Sequence, residues 1–223
     1  MALSVLEIYN NALGLVGSRH SLTSVSDKLR EADLCNQYYP TVREQVFCAA
    51  HWSCGKTARR LTLLKERDTS IDWVDTEPMP PWRFAYSRPS NCAHPRYFTT
   101  YGSFEVSRYG TSNAFLCDTE DPILIYTHVE NDTSLWDSYL TSAVYTGLAA
   151  AIVRPLTGST RKANDLVQEA NRYIMIGREY EANQDSTYFD FMPESLAARG
   201  ISGPTNPNRF IYPVGPLFMG VSG

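Results

Sequence analysis

The hydrophobic period of this chain changes twice, and that double change limits the folds open to it. Helical spacing opens the chain. Val5, Leu6, Tyr9, Ala12, Leu13 and Val16 fall on one helical face. Ser4 and Glu7 form a capping box, Leu3 and Ile8 take staple positions, and Gly14 and Gly17 weaken and end the helix. A polar turn over 18–26 leads to a second helix with Asp27 at its start, where the helix dipole favours an acid. Cys35, Tyr38, Tyr39, Val42, Val46 and Ala49 supply its apolar face, and Pro40 should kink or split it. The two helices read as an antiparallel hairpin.

From about Thr57 the period becomes strand-like. Candidate strands cover 58–64, 82–86, 97–100, 103–109, 113–117 and 123–128, separated by Pro, Gly and Asp. Helical period then returns. Asp132 or Thr133 can cap a helix whose inner face is Trp136, Tyr139, Leu140, Ala143, Gly147, Ala150 and Ala151, and Pro155 should end it. A last helix places Ala163, Leu166, Val167, Ala170, Tyr173, Ile174 and Gly177 on one face.

The predicted fold class is therefore α+β: a four-helix bundle-like core from 1–55 and 131–184, an inserted antiparallel β domain over 56–130, and an extended C-terminal arm over 185–223. Trp136, Tyr139 and Leu140 are expected to face the N-terminal helix near Leu6, Tyr9 and Leu13.

The end of the chain obeys neither period. From Gln184 to Gly223 it carries five Pro and five Gly, which forbid a long helix or a central strand. It is nevertheless rich in aromatic and aliphatic side chains, unlike a disordered tail. Phe210, Ile211, Tyr212, Leu217, Phe218 and Met219 are the candidate partner-binding residues, suited to a groove on another chain. The arm is expected to take up its place only in the assembled particle.

Bulk properties exclude some classes. With 20 Lys and Arg against 24 Asp and Glu, a general affinity for nucleic acid is not expected. No run of 18 apolar residues encodes a membrane span, and the amphipathic start does not read as a signal peptide. Cys35, Cys48, Cys54, Cys92 and Cys117 are an odd number, read as reduced and mostly buried thiols.

The chemical motifs are thin. Gly55-Lys56-Thr57 looks like the end of a phosphate-binding loop, but position 50, where its first glycine belongs, is Ala50, and a helix precedes it. Cys48, His51 and Cys54 have metal-like spacing, with Cys92 or His94 the available fourth ligand, yet structural zinc favours paired short spacings, so no metal and no cofactor is expected. Carboxylates that suit hydrolytic work are Asp72 with Asp75 and Glu77, and Glu130 with Asp132. None of the four histidines lies in a recognised nucleophile motif, so no catalytic residue is assigned. Arg59, Arg60, Lys65 and Arg67, and Arg154, Arg161 and Lys162, are the densest positive spots. They read as solvated surfaces, with weak contact to passing DNA the alternative.

The order of features resembles the head-to-tail adaptors, or tail tubular proteins A, of short-tailed bacteriophages. The residues that carry the likeness begin with Asn11-Ala12-Leu13-Gly14-Leu15-Val16-Gly17 and Ser24-Val25-Ser26. Ala32, Cys35, Tyr38, Tyr39, Val42 and Arg43 follow, in a helix ending at Trp52. Then come Trp82-Arg83-Phe84-Ala85-Tyr86 with Pro89, Asn91 and Cys92, and Ile125-Tyr126-Thr127. The likeness closes on Trp136-Asp137, Leu148-Ala149 and Arg154-Pro155-Leu156-Thr157. The resemblance implies a non-enzymatic virion protein of the neck, folded in the host cytoplasm. It implies a homododecameric ring between the portal protein and the tail nozzle protein, with DNA passing through the lumen without sequence-specific binding. The long Pro/Gly-containing tail departs from the shorter family members. Two other readings stay open: a phage-encoded hydrolase of cell-wall or capsule sugar, and a small adaptor domain of a non-viral complex.

Overall fold

A computed structural model describes residues 3–68, 70, 72–100 and 102–184. The fold is α+β, with four helices and two antiparallel sheets. The described residues divide into two compact units, one drawn from 3–56 and 127–183 and the other from 57–126.

In the first unit, helix α1 (Val5–Val16) starts as its residues dictate. Ser4 N–H donates to Glu7 Oε2 at 2.6 Å, and Glu7 N–H donates to Ser4 Oγ at 3.3 Å. It stops at Gly17, whose φ of 81° lets its N–H turn back to the carbonyls of Leu13 and Gly14. Helix α2 (Arg30–Ala49) begins three residues later than Asp27 suggests. Asp27 instead accepts from the backbone of Thr23 at 2.7 Å and of Ser24 at 3.1 Å, closing the loop before the helix. Pro40 does not split α2, which runs through it.

Helix α3 (Ser138–Thr157) packs against both α1 and α2, which touch each other little, so the expected hairpin of α1 and α2 is replaced by two pairings with α3. Its buried Ala143, Gly147, Ala149 and Ala150 carry little bulk, which permits that close approach on two sides. Asp132 caps only a short 3-10 turn (Thr133–Leu135); the cap of α3 is Asp137, which accepts from Tyr139 N at 2.6 Å and Leu140 N at 2.8 Å. Trp136 therefore lies outside the helix. It is buried edge-on against Phe47 of α2, at 5.6 Å between ring centroids. Tyr139 faces the last helix, 5.4 Å from the ring of Tyr180. Leu140 is fully buried. Pro155 does not end α3 either: the helix closes at Gly158, at φ 73°, whose N–H bonds to Arg154 O.

Helix α4 (Thr160–Gln184) buries Ala163, Leu166, Ala170, Ile174, Gly177 and Glu181, a stripe at three- and four-residue steps. One apolar cluster draws on all four helices and includes Trp52, Phe47, Ile8, Leu13, Leu148 and Ile152.

The second unit holds strands β1 (Lys56–Arg60), β2 (Leu63–Glu66), β3 (Phe84–Ser87), β4 (His94–Phe98), β5 (Phe104–Tyr109), β6 (Ser112–Cys117) and β7 (Ile123–Thr127). They form a sheet of order β1-β7-β4 and another of order β2-β3-β6-β5. The single strand expected over 58–64 is two strands, because the chain changes sheet at Leu61 and Thr62. Leu61 N–H donates to Pro122 O, while Thr62 O accepts from Ser87 N. β3 and β6 pair centrally, with Phe84 opposite Cys117 and Tyr86 opposite Phe115. β5 and β6 form a hairpin, with Tyr109 opposite Ser112 and Gly110 at φ 60°. Phe84, Tyr86 and Phe115 of one sheet share a core with Phe98, Leu124 and Tyr126 of the other. The buried hydroxyls in it are satisfied: Tyr86 donates to Thr119 O at 3.1 Å, and Tyr126 to Asn91 Oδ1 at 2.9 Å.

Candidate functional site

The six residues assigned to partner binding (Phe210, Ile211, Tyr212, Leu217, Phe218 and Met219) lie outside the described residues, as does the whole arm. Within them, two places hold an unusual arrangement of side chains.

One lies in the helical unit, where the chain leaves α2. Trp52 is fully buried and its indole N–H donates to Val46 O at 2.8 Å. Its ring rests on the backbone of Gly177, where even a methyl group would sit 2.4 Å from the ring. The next residue, Arg178, donates through Nε at 3.0 Å, and through Nη2, to Ala49 O, satisfying a carbonyl that the end of α2 leaves unpaired. At the next stripe position Glu181 is only 7% exposed. Ser53 Oγ donates to Glu181 Oε1 at 3.1 Å. Burial, above all, raises the Glu181 carboxyl above its usual range, and Asp137 adds to the shift.

Cys54 belongs to the same cluster. Burial pushes its thiol up to about 12, with Asp137, Glu181 and Glu130 adding to the rise, the reverse of what a thiolate nucleophile needs. Nearby, His128 Nε2 stands 3.1 Å from Glu130 Oε2 and Nδ1 stands 3.0 Å from Gly55 O. Glu130 also accepts from Asp132 N at 2.9 Å, and this bond leads the causes that hold its carboxyl below the usual range.

The second place is the connection between β2 and β3. Trp73, Val74 and Met79 are each 45–47% exposed there. The backbone that presents them is tied down: Trp73 Nε1 donates to Glu77 O at 3.4 Å, Tyr109 Oη to Thr76 O at 2.6 Å, and Trp82 Nε1 to Glu105 Oε2 at 3.0 Å. Leu63 and Leu64 on β2 and Val106 on β5 are exposed as well, all on edge strands of the same sheet.

The remaining candidates scatter. Asp72 and Asp75 are exposed, whereas Glu77 is buried and accepts from Asp68 N at 3.4 Å, so the three do not face one another as an acid–base pair. Asp132 is the cap of the 3-10 turn. Among the described residues no group of three His, Cys, Asp or Glu side chains is placed to hold a metal. The five cysteines are all free thiols. Of the positive spots, Arg60 pairs with Asp121 at 3.6 Å and Lys162 Nζ donates to Val16 O at 3.0 Å, while Arg59, Lys65, Arg154 and Arg161 are exposed. An open depression of about 320 Å³ is lined by Glu66, Arg67, Asp68 and Arg83, with Arg83 paired to Glu66 at 2.7 Å and Glu120 at 3.7 Å.

Sequence reasoning missed Glu181. Its signal was present: it stands four residues beyond Gly177 on the buried stripe of α4, where a charged residue needs a partner. No helix among the described residues is long and apolar enough to cross a membrane. A scan against protein-family models finds no match, and a search of curated proteins finds none either.

Proposed function

We propose that this chain is a structural subunit of a short-tailed phage virion, a ring-forming adaptor that joins the portal protein to the tail nozzle protein around a lumen through which DNA passes. Its architecture in this reading is a four-helix bundle-like core, an inserted β domain and a docking arm over 185–223. The observation that supports it best is the order of the two units. Helices from both ends of the described chain build one core, and an antiparallel β unit is inserted between them, as in the adaptors the sequence resembles. A subunit in a closed ring needs two different patches that meet on rotation. The anchored Trp73–Met79 segment offers one in the β unit, and Leu135, Met175 and Tyr180 are exposed in the helical unit.

Mass measurement of the purified full chain, alone and mixed with the portal protein, tests this. A closed oligomer, or one formed on the portal, is expected. A chain that stays monomeric in both samples sinks the reading. The hydrolase alternative has its own test. Changing Asp72 and Asp75 to Asn, Glu130 to Gln and Asp132 to Asn is expected to leave assembly intact, since Asn caps a turn nearly as well as Asp. Cleavage of peptidoglycan or capsule by the purified chain, abolished by one of these changes, would replace the adaptor reading with the enzymatic one.

A further inference from the structure

An edge strand offers a row of unpaired backbone N–H and C=O groups, and folds guard such rows with charge, proline or a covering segment. Three of the four edges in the β unit are guarded in these ways. β1 carries Lys56, Arg59 and Arg60, and β4 carries Pro95 and Arg96. The β2–β3 connection is tied to β5 by Tyr109 Oη on Thr76 O and Trp82 Nε1 on Glu105 Oε2. β2 differs. Among the described residues it pairs with β3 alone, and all four of its residues are exposed, Leu63 at 48% and Leu64 at 44%. Its register with β3 slips between Leu63 and Lys65, and such a bulge bends an edge strand, but here it leaves both leucines uncovered.

One stretch of the chain beyond the described residues fits this edge, Arg209-Phe210-Ile211-Tyr212. It matches the four residues of β2 in length and has aromatic and β-branched side chains that favour a strand. Pro213 follows directly and has no N–H with which to continue a ladder. Run antiparallel to β2, the stretch sets Arg209 opposite Glu66, Phe210 opposite Lys65, Ile211 opposite Leu64 and Tyr212 opposite Leu63. That register makes one charge pair and two apolar pairs, whereas the parallel one keeps a single apolar pair and no charge pair. We propose that residues 209–212 of one subunit add to β2 of the next as a fifth, antiparallel strand of its four-stranded sheet. The proposal rests on the ring reading, in which edge and arm are two different patches, as a heterologous contact needs. Arg209 lies 25 residues beyond Gln184, a reach of about 80 Å when extended, enough to cross to a neighbour. Leu217, Phe218 and Met219, beyond Pro213, stay available to the portal.

The test uses full chains, alone and with the portal protein. Copies carrying Glu66→Cys are mixed with copies carrying Arg209→Cys and oxidised, and the unchanged chain, whose five cysteines are free thiols, gives the background. A disulfide-linked two-chain product is expected, with positions 66 and 209 in its linked peptides. Glu66→Cys mixed with Tyr212→Cys, the parallel register, should give none above background. Arg209→Glu and Glu66→Arg each set like charges opposite one another and should raise the concentration needed for association by about fivefold. Both changes in one chain should restore most of it. Glu66 also pairs with Arg83, but that contact is lost in Glu66→Arg and in the double variant alike, so the recovery reads Arg209. A double variant no better than Glu66→Arg overturns the pairing. With both cysteines in one chain, a link that stays within a single copy overturns the proposal. Closed oligomers without the 66–209 link, as an arm seated only on the portal would give, overturn it and leave the ring reading standing. A chain that is monomeric in every sample overturns both.

Discussion

Replacing Trp52 with alanine is expected to lower the stability of the chain by about 3–5 kcal/mol, the range for large aromatic truncations in cores. Trp52 is among the largest fully buried side chains, and its loss would open a cavity that rigid neighbours are slow to fill. The indole touches the Gly177 backbone on one side, and its N–H adds a bond to the Val46 carbonyl at the end of α2, which truncation also removes. The reciprocal change probes the same contact from the other helix. Gly177→Ala puts a methyl group into the ring and should cost about 1–3 kcal/mol through overpacking, despite the better helix propensity of alanine. Denaturant unfolding followed by circular dichroism measures both. A Trp52→Ala chain that unfolds at the native midpoint would show that this contact does not hold the fold together.

On the adaptor proposal, removing 185–223 is expected to leave a folded chain that does not associate stably with the portal. Six apolar side chains (Phe210, Ile211, Tyr212, Leu217, Phe218 and Met219) gain on the order of 1.5–3 kcal/mol each when buried against a partner. Fixing the backbone around them costs about 1–2 kcal/mol per residue, so the net for one subunit is small. Prolines on either side limit that cost by presetting φ. In the proposed ring, avidity would multiply that small gain, so the loss expected on truncation is large. Circular dichroism with co-sedimentation on the portal separates the outcomes. A truncated chain that unfolds would show the arm to be part of its own core, and one that still binds would place the docking residues elsewhere, with the Trp73–Met79 segment the next to vary.

Local rules in the sequence determined the ends and faces of several elements. Ser4 and Glu7 cap α1, and Gly17 closes it, because each acts on backbone within a few residues. The apolar stripes of α1, α2 and α4 were readable for the same reason: they are periodic within one element. Tertiary structure decided what those rules leave open. Asp27 had two ways to satisfy backbone donors and closes a loop instead of opening a helix. Residues 58–64 alternate like one strand, yet Leu61 and Thr62 bond to different sheets. Pro155 removes one donor from α3, but the helix completes its turn to Gly158, and Arg30 Nη2 bonds to Pro155 O at 2.7 Å. Trp136 turned to Phe47 because α3 starts one residue after it, at Asp137's cap, which sets which way the indole points. Glu181 is the plainest case. Its place on a buried stripe is visible in the sequence, but Ser53, 128 residues away, is brought to it only when the end of α2 and α4 pack together.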